Sequence, residues 1–419
     1  MKKSKLFLPV VILSMIIFSG FADIASGQLY EWRGPGRTGI YNETGLLKKW
    51  PDGGPKLLWE SEGMGYGFSS PTVTNDAVYV TGRKETNDVL VALTPEGKKK
   101  WEVIYGKAWM TNHDGTRCTP TVYNGNIFLV SGSGDIVCVG SDGKIKWSKN
   151  HYALYESKPI MFGISESPLV VDNMVIASPG GKKASLVAFN VTDGKVIWEA
   201  EPIEAQPQYV NPALIEFAGK KMIVTVMGTN IFAVNAKDGK ILWKMDYVNV
   251  NAGPEKGYKN HAVTPTYRDG HILIANGYKW VALKLKLSSD GNSVTTVWEN
   301  RNFDPQLGGV VLLGDYIFGS THQVQPTDSW VCVDWNTGKI LWTSKWYSKG
   351  SIISADGMLY MYEEKSGHVA LANPDPSKLD IVSEFQITKG EGPFWAHPVI
   401  RNGKLYIRHG DVLMAYLIK

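Results

Sequence analysis

Side chains able to bind or transform a ligand gather at one recurrent place in this chain, the few residues ahead of each X-Pro step. Tyr66 and Phe68 precede Pro71; His113, Asp114 and Arg117 precede Pro120; Ser165 and Glu166 precede Pro168. Gln208 and Tyr209 precede Pro212; Lys259, Asn260 and His261 precede Pro265; Trp395 and His397 precede Pro398. Brought to one funnel, Phe68, His113, Arg117, Glu166, Tyr209, His261 and Trp395 would bind a polar or anionic small molecule, a sugar or a peptide. The competing reading is structural: solvated loops, a pair between Arg117 and Glu166 tying neighbouring units, and Trp395 with His397 packed as core. His113-Asp114 suggests a metal or a general base but lacks the two further ligands a zinc site needs. No nucleophile elbow, phosphate loop or zinc-helix motif occurs. No catalytic or metal-ligating residue is assigned.

For these residues to converge, the elements carrying them must repeat around an axis. An Asp-Gly-Lys turn, or a close variant, followed two residues later by Trp recurs at Trp101, Trp147, Trp198, Trp243 and Trp342. Trp59 and Trp298 end degenerate versions, and the series is spaced by 42 to 55 residues. Phe385 continues it. Within each period an X-Pro step leads to a short alternating strand, a tight turn, a second strand and an apolar strand. In one unit Asn124-Gly125 joins two such runs, a strong hairpin signal because both turn residues take positive φ.

Four antiparallel strands in roughly 40 to 50 residues make a propeller blade, whereas solenoid repeats of that length are helical. The fold expected is all-β, an eight-bladed β-propeller with blades beginning near Ser70, Thr119, Ser167, Asn211, Thr264, Gly309, Ser351 and His397. The last unit, Pro398 to Leu417, holds only three strands. Its outer strand is expected from Lys56 to Glu60, so that N- and C-terminal strands close the ring and leave no open edge. Each tryptophan then wedges between blades, with its indole N–H reaching a neighbouring carbonyl.

The N-terminus is basic at Lys2, Lys3 and Lys5, then apolar from Leu6 to Phe18 except Ser14, with small residues at Ala25 and Gly27. This is an export-signal pattern, with cleavage expected before Gln28. The expected division is a signal peptide at 1–27, a leader at 28–55 and the propeller at 56–419. Removing the signal lowers the net charge from +4 to +2. No basic block remains, which argues against nucleic acid. The chain is expected in the periplasm or at the cell surface, as a monomer with no transmembrane segment after cleavage. Cys118, Cys138 and Cys332 cannot all pair, and none sits in a CxxC motif or an adjacent pair.

Ala188 to Trp198, Ala233 to Trp243 and Cys332 to Trp342 resemble the tryptophan-docking repeat of the PQQ-like propellers. That family includes quinoprotein alcohol dehydrogenases and BamB-like proteins. The leader, Trp32-Arg33-Gly34-Pro35-Gly36-Arg37-Thr38-Gly39 with Glu43-Thr44-Gly45-Leu46 and Trp50, is similar to the opening of many exported members. The resemblance spans the mature chain and implies the fold more than any activity. A working quinoprotein holds PQQ on the axis between a tryptophan and a disulfide of adjacent cysteines, beside calcium and a catalytic aspartate. This chain has no adjacent cysteines and no motif matching the calcium ligands, although sugar-type quinoproteins also lack the cysteine pair. The expected function is therefore a non-enzymatic binding or scaffold protein for a protein, glycan or small polar ligand, without a cofactor. The alternative is a PQQ- and calcium-dependent alcohol or sugar dehydrogenase, with Arg117, Glu166 and His261 near the cofactor.

Overall fold

The computed structural model describes residues 28–158, 160–247 and 260–419. The expected signal peptide and Lys259 lie outside them. The described residues form eight antiparallel sheets of four propeller strands each, arranged as a ring of blades. Blade 1 comprises Thr72–Val73, Val78–Lys84, Asn87–Leu93 and Lys99–Lys107. The inner strands of blades 2 to 8 are Thr121–Tyr123, Leu169–Val171, Ala213–Phe217, Thr266–Arg268, Val311–Leu313, Gly350–Ala355 and Val399–Arg401. Each begins within two residues of its expected start. No helix among the described residues is long and apolar enough to cross a membrane.

Middle strands are near-continuous apolar runs because neighbouring blades bury both their faces. Ile136, Val137, Cys138 and Val139 are fully buried, as are Ile231, Phe232, Ala233 and Val234. At the hairpin in blade 2, Asn124 and Gly125 take φ of 50° and 72°, the conformation that Asn-Gly favours. The ring closes as expected: Lys56–Ser61 pairs antiparallel with Val412–Leu417. Across that seam the buried Arg408 of blade 8 donates to the carbonyls of Gly65 and Ser69, at 2.9 and 3.1 Å.

Outer-strand tryptophans dock each blade on the next. The Trp147 indole donates to Val191 O at 3.1 Å and the Trp198 indole to Ala236 O at 3.1 Å. Trp59, Trp101, Trp298 and Trp342 bond in the same way. The rings of Trp59, Trp101, Trp147, Trp198 and Trp298 each face a glycine of the next blade. A Cβ at Gly239 would stand 2.4 Å from the Trp198 ring, so this residue is needed for space as well as for its φ of 72°. Gly54, just before the closing strand, meets Phe385 similarly. Trp243 and Trp342 meet no glycine among the described residues. Gly291 of the next blade faces Met222 and Phe217, and the Trp243 indole nitrogen is buried without a partner among the described residues.

The leader is built into the axis of the ring. Leu29–Tyr30 pairs antiparallel with the inner strand of blade 2, with Tyr30 opposite Val122. Ile40–Tyr41 pairs parallel with the inner strand of blade 7, with Ile40 opposite Ser354. The chain thus climbs one inner strand, turns over Trp32 to Gly39 and descends another. Two buried guanidiniums hold the turn. Arg33 donates to Gly308 O at 3.2 Å, Ile352 O at 3.0 Å and Val310 O at 2.5 Å. Arg37 donates to Pro168 O at 2.8 Å and Pro212 O at 3.2 Å, and its Nε pairs with Glu31 at 2.9 Å.

Replacing Arg37 leaves Glu31 buried beside open carbonyls, so Arg37→Gln is expected to cost about 3 kcal/mol. Trp198→Phe keeps the ring contact, loses one hydrogen bond and should cost about 1 kcal/mol. Urea midpoints compare the two, and an Arg37→Gln protein as stable as wild type would contradict the plug.

Candidate functional site

The pre-proline residues turn out to be part of the scaffold. The residue before proline is held extended, which swings its side chain toward the preceding blade. Thr119 Oγ1 accepts from Ser70 N at 3.0 Å, Ser167 Oγ from Thr119 N at 3.0 Å and Asn211 Oδ1 from Ser167 N at 2.6 Å. These bonds step around the axis from blade to blade. The residues just upstream are thereby lifted to the mouth of the channel, where they line a cavity of about 300 Å³.

Phe68, His113, Arg117, Tyr209 and Trp395 all line this cavity. With Phe162 they form one aromatic wall. Ring centroids are 4.9 Å apart for Phe68 and Trp395, 5.2 Å for Trp395 and His113, 5.5 Å for His113 and Phe162, and 5.8 Å for Phe162 and Tyr209. Arg117 lies 5.6 Å from the Phe68 ring centre and donates to the carbonyls of Gly115 and His113. Burial lowers its pKa to about 10, so it is a cation at neutral pH. Among the described residues it forms no ion pair, so the expected pairing with Glu166 does not form.

Glu166 and His261 face elsewhere. The Glu166 carboxylate accepts from Ser178 N and Ser178 Oγ, each at 3.1 Å, inside blade 3. Burial pushes it up to about 7, against the downward pull of Ser178 and Arg37. His261 is fully buried, with Nε2 bonded to Gly228 O at 2.9 Å and its ring against Trp280 and Tyr247. Both residues support the mouth from within the blades.

The floor belongs to Trp32 and His397. Arg33 donates to His397 Nδ1 at 2.8 Å, and His397 Nε2 donates to Leu307 O at 2.7 Å. That pattern fixes the neutral imidazole, in agreement with a pKa lowered to about 3 by burial and by Arg33.

The opposite wall, Tyr278, Gln306, His322, Lys349 and Glu364, comes from blades 5 to 7. Blades 6 and 7 have no proline directly before their inner strands, so the X-Pro pattern passes over Gln306 and Lys349. Tyr278, His322 and Glu364 lie on connections between second and third strands, which no motif marks. Buried acids hold those connections in place. Asp304 accepts from His322 N and Gln323 N at 2.8 Å each, and from Lys279 N at 3.1 Å. Glu363 accepts from Lys365 N and Ser366 N at 2.7 Å each. An acid two residues before Gln306, in Asp304-Pro305, was the available sequence signal. Lys349 and Glu364 form an ion pair with nearly buried side chains. Both ring nitrogens of His322, and Ser165 Oγ, are buried with no hydrogen-bond partner among the described residues. Burial and Lys349 lower the His322 pKa to about 4.

Among the described residues no three His, Cys, Asp or Glu side chains are placed to share a metal ion. Cys118, Cys138 and Cys332 are free and buried.

A family model described as outer membrane protein assembly factor BamB matches residues 86–344. The chain belongs to this family. No curated protein matches it significantly. Among solved structures, BamB from Moraxella catarrhalis is similar at 13% identity and a TM-score of 0.60, over 87% of this chain and 98% of that one. A europium-containing methanol dehydrogenase is similar at 12% identity and a TM-score of 0.52, over 90% and 88%. Saccharomyces cerevisiae Sqt1 is similar at 11% identity and a TM-score of 0.60, over 86% and 98%. At these identities the likeness is one of fold.

Glu166 makes stability depend on pH. Its folded pKa lies above the usual 4.5, at about 7, so the folded state holds the proton more tightly and its contribution to stability falls as pH rises through that window. Glu166→Gln should therefore gain stability relative to wild type between about pH 5 and about pH 8. Asp88, also raised to about 7 by burial, titrates in both proteins and cancels in the difference. A urea-midpoint difference that stays constant with pH would contradict this assignment.

Proposed function

We propose that this protein is an exported, non-enzymatic binding scaffold whose plugged axial pocket captures a small polar ligand. The observation that carries the reading is a cavity of about 300 Å³ floored by the chain's own leader, with Ser165 and His322 polar atoms left without partners inside it. Buried polar groups normally find partners, and an unpartnered one costs about 1–3 kcal/mol. A ligand that bonds them recovers that cost. The export-signal pattern of residues 1–27 and the family's description as an outer membrane assembly factor support a place in the periplasm or at the cell surface.

A quinone with calcium is poorly matched by the same side chains. Calcium takes roughly six to eight oxygen ligands, and the one carboxylate among the described lining residues, Glu364, is committed to Lys349. PQQ is a tricarboxylate, whereas among the described residues the lining carries one cation outside an ion pair, Arg117.

Thermal-shift screening of the purified protein against small-molecule and glycan libraries should find stabilising ligands whose effect disappears in Trp395→Ala. Titration with PQQ and calcium should give neither saturable tryptophan quenching nor dye-linked alcohol oxidation. Tight PQQ binding with turnover would establish the dehydrogenase instead.

A further inference from the structure

We propose that the axial pocket takes a sugar bearing a single carboxylate, a uronic acid. This rests on the reading of the pocket as a ligand site and adds the chemistry of the ligand.

Three features of the lining carry it. The first is the aromatic wall, in which Trp395 stands between Phe68 at 4.9 Å and His113 at 5.2 Å. The rings are inclined to one another, by 52° for Phe68 and Trp395 and 68° for Trp395 and His113, so the C–H face of a pyranose can lie against one ring face while its neighbours flank it, which favours a rigid, amphipathic ligand over a flexible peptide. The second is the character of the facing groups. Gln306 already donates to the Tyr278 hydroxyl at 2.8 Å, so its carbonyl oxygen is the end left to accept. His322, neutral at physiological pH, offers one donor and one acceptor, and Ser165 offers both from one oxygen. Sugar hydroxyls donate and accept in the same way, so each group can be satisfied. A plain aromatic acid would leave most of them unbonded.

The third feature is charge. Lys349 and Glu364 neutralise each other, and His397 is held neutral by its bonds to Arg33 and Leu307. His322 is neutral as well. Among the described residues Arg117 is then the one fixed charge in the lining that forms no ion pair, with Asp88 and Asp114 acting on it only at longer range, and its guanidinium packs beside Phe68 at the aromatic wall. One surplus positive charge in a partly desolvated mouth suits a monoanion, and a guanidinium fits the geometry of a carboxylate. A phosphate or a tricarboxylate would bring more negative charge than the lining answers.

Calorimetric titration of the full mature chain tests the idea with galacturonate, neutral galactose, benzoate, inorganic phosphate and PQQ with calcium. Galacturonate should bind at least about tenfold more tightly than galactose, and its affinity should fall with added salt while the neutral sugar's does not. Arg117→Gln should lower galacturonate affinity about tenfold or more and leave the neutral sugar unchanged. Arg117→Lys keeps the charge and should bind galacturonate better than Arg117→Gln, which separates loss of charge from loosening of the loop at Gly115. Trp395→Ala should weaken both sugars. Equal binding of the acidic and neutral sugars, or preference for benzoate or phosphate, overturns this inference and leaves the ligand-pocket reading standing. Binding of PQQ with turnover, or no binding by any probe, overturns both.

Discussion

The structure turns on the burial of two arginines in the axis of a ring whose inner strands expose carbonyls there. Inner strands of a propeller are too crowded to pair with each other, and backbone oxygens left facing a narrow channel would need another partner. Arg33 and Arg37 supply it from the leader, reaching carbonyls on blades 3, 4, 6 and 7 from one short turn. A guanidinium suits this role because it fans several donors from one plane and keeps its charge when buried. Its cost is desolvation. For Arg37 the carboxylate of Glu31 offsets that cost, and for Arg33 three carbonyls and His397 do so. The fit is tight enough that a Cβ at Gly309 would stand 2.7 Å from the Arg33 guanidinium.

Because the plug sits there, the channel becomes a pocket with a floor. Trp32 is held by the same turn that places Arg33, and it meets His397 edge-on at 5.2 Å. His397 is at once the residue before Pro398, a partner of Arg33 and part of the lining. Ring closure, plug and pocket therefore share a residue. A change that disturbs one of them is transmitted to the others through bonds of 2.7 to 2.8 Å rather than through loop mobility.

The repeat made the scaffold legible. Spaced tryptophans, Asn-Gly turns and the three-stranded last unit specify eight blades and the strand that completes them, because each is a local signal tied to one geometry. The glycine before each tryptophan was legible as a turn residue. Its second role, making room for the tryptophan of the preceding blade, depends on a contact between repeats that no single repeat displays. The mouth was half legible. Where an X-Pro step marks the inner strand, upstream residues such as Arg117, Tyr209 and Trp395 reach the cavity. Glu166 and His261 sit close enough to the strand to turn inward, toward Ser178 and Gly228. Lys349, His322 and Tyr278 carry no marker, since their placement follows from buried acids such as Asp304 that satisfy backbone N–H groups. The leader's charged turn reads as a family signature, and only the ring around it explains why it holds two arginines.

Closure by such a plug couples binding to folding. The leader precedes every blade in sequence, yet Arg33 finds its acceptors at Val310 and Ile352, more than half the chain away. Contacts of that separation form only after the intervening chain is ordered. Until blades 6 and 7 are in place, Arg33 has water as its partner and no reason to leave it. The floor of the pocket is consequently complete only when blades 6 and 7 are in place, so the pocket exists only in the closed ring. On the proposed reading, a ligand held between the aromatic wall and His322 would bind that closed state alone, and by mass action it would stabilise the seam between the chain's two ends as well as the mouth it occupies.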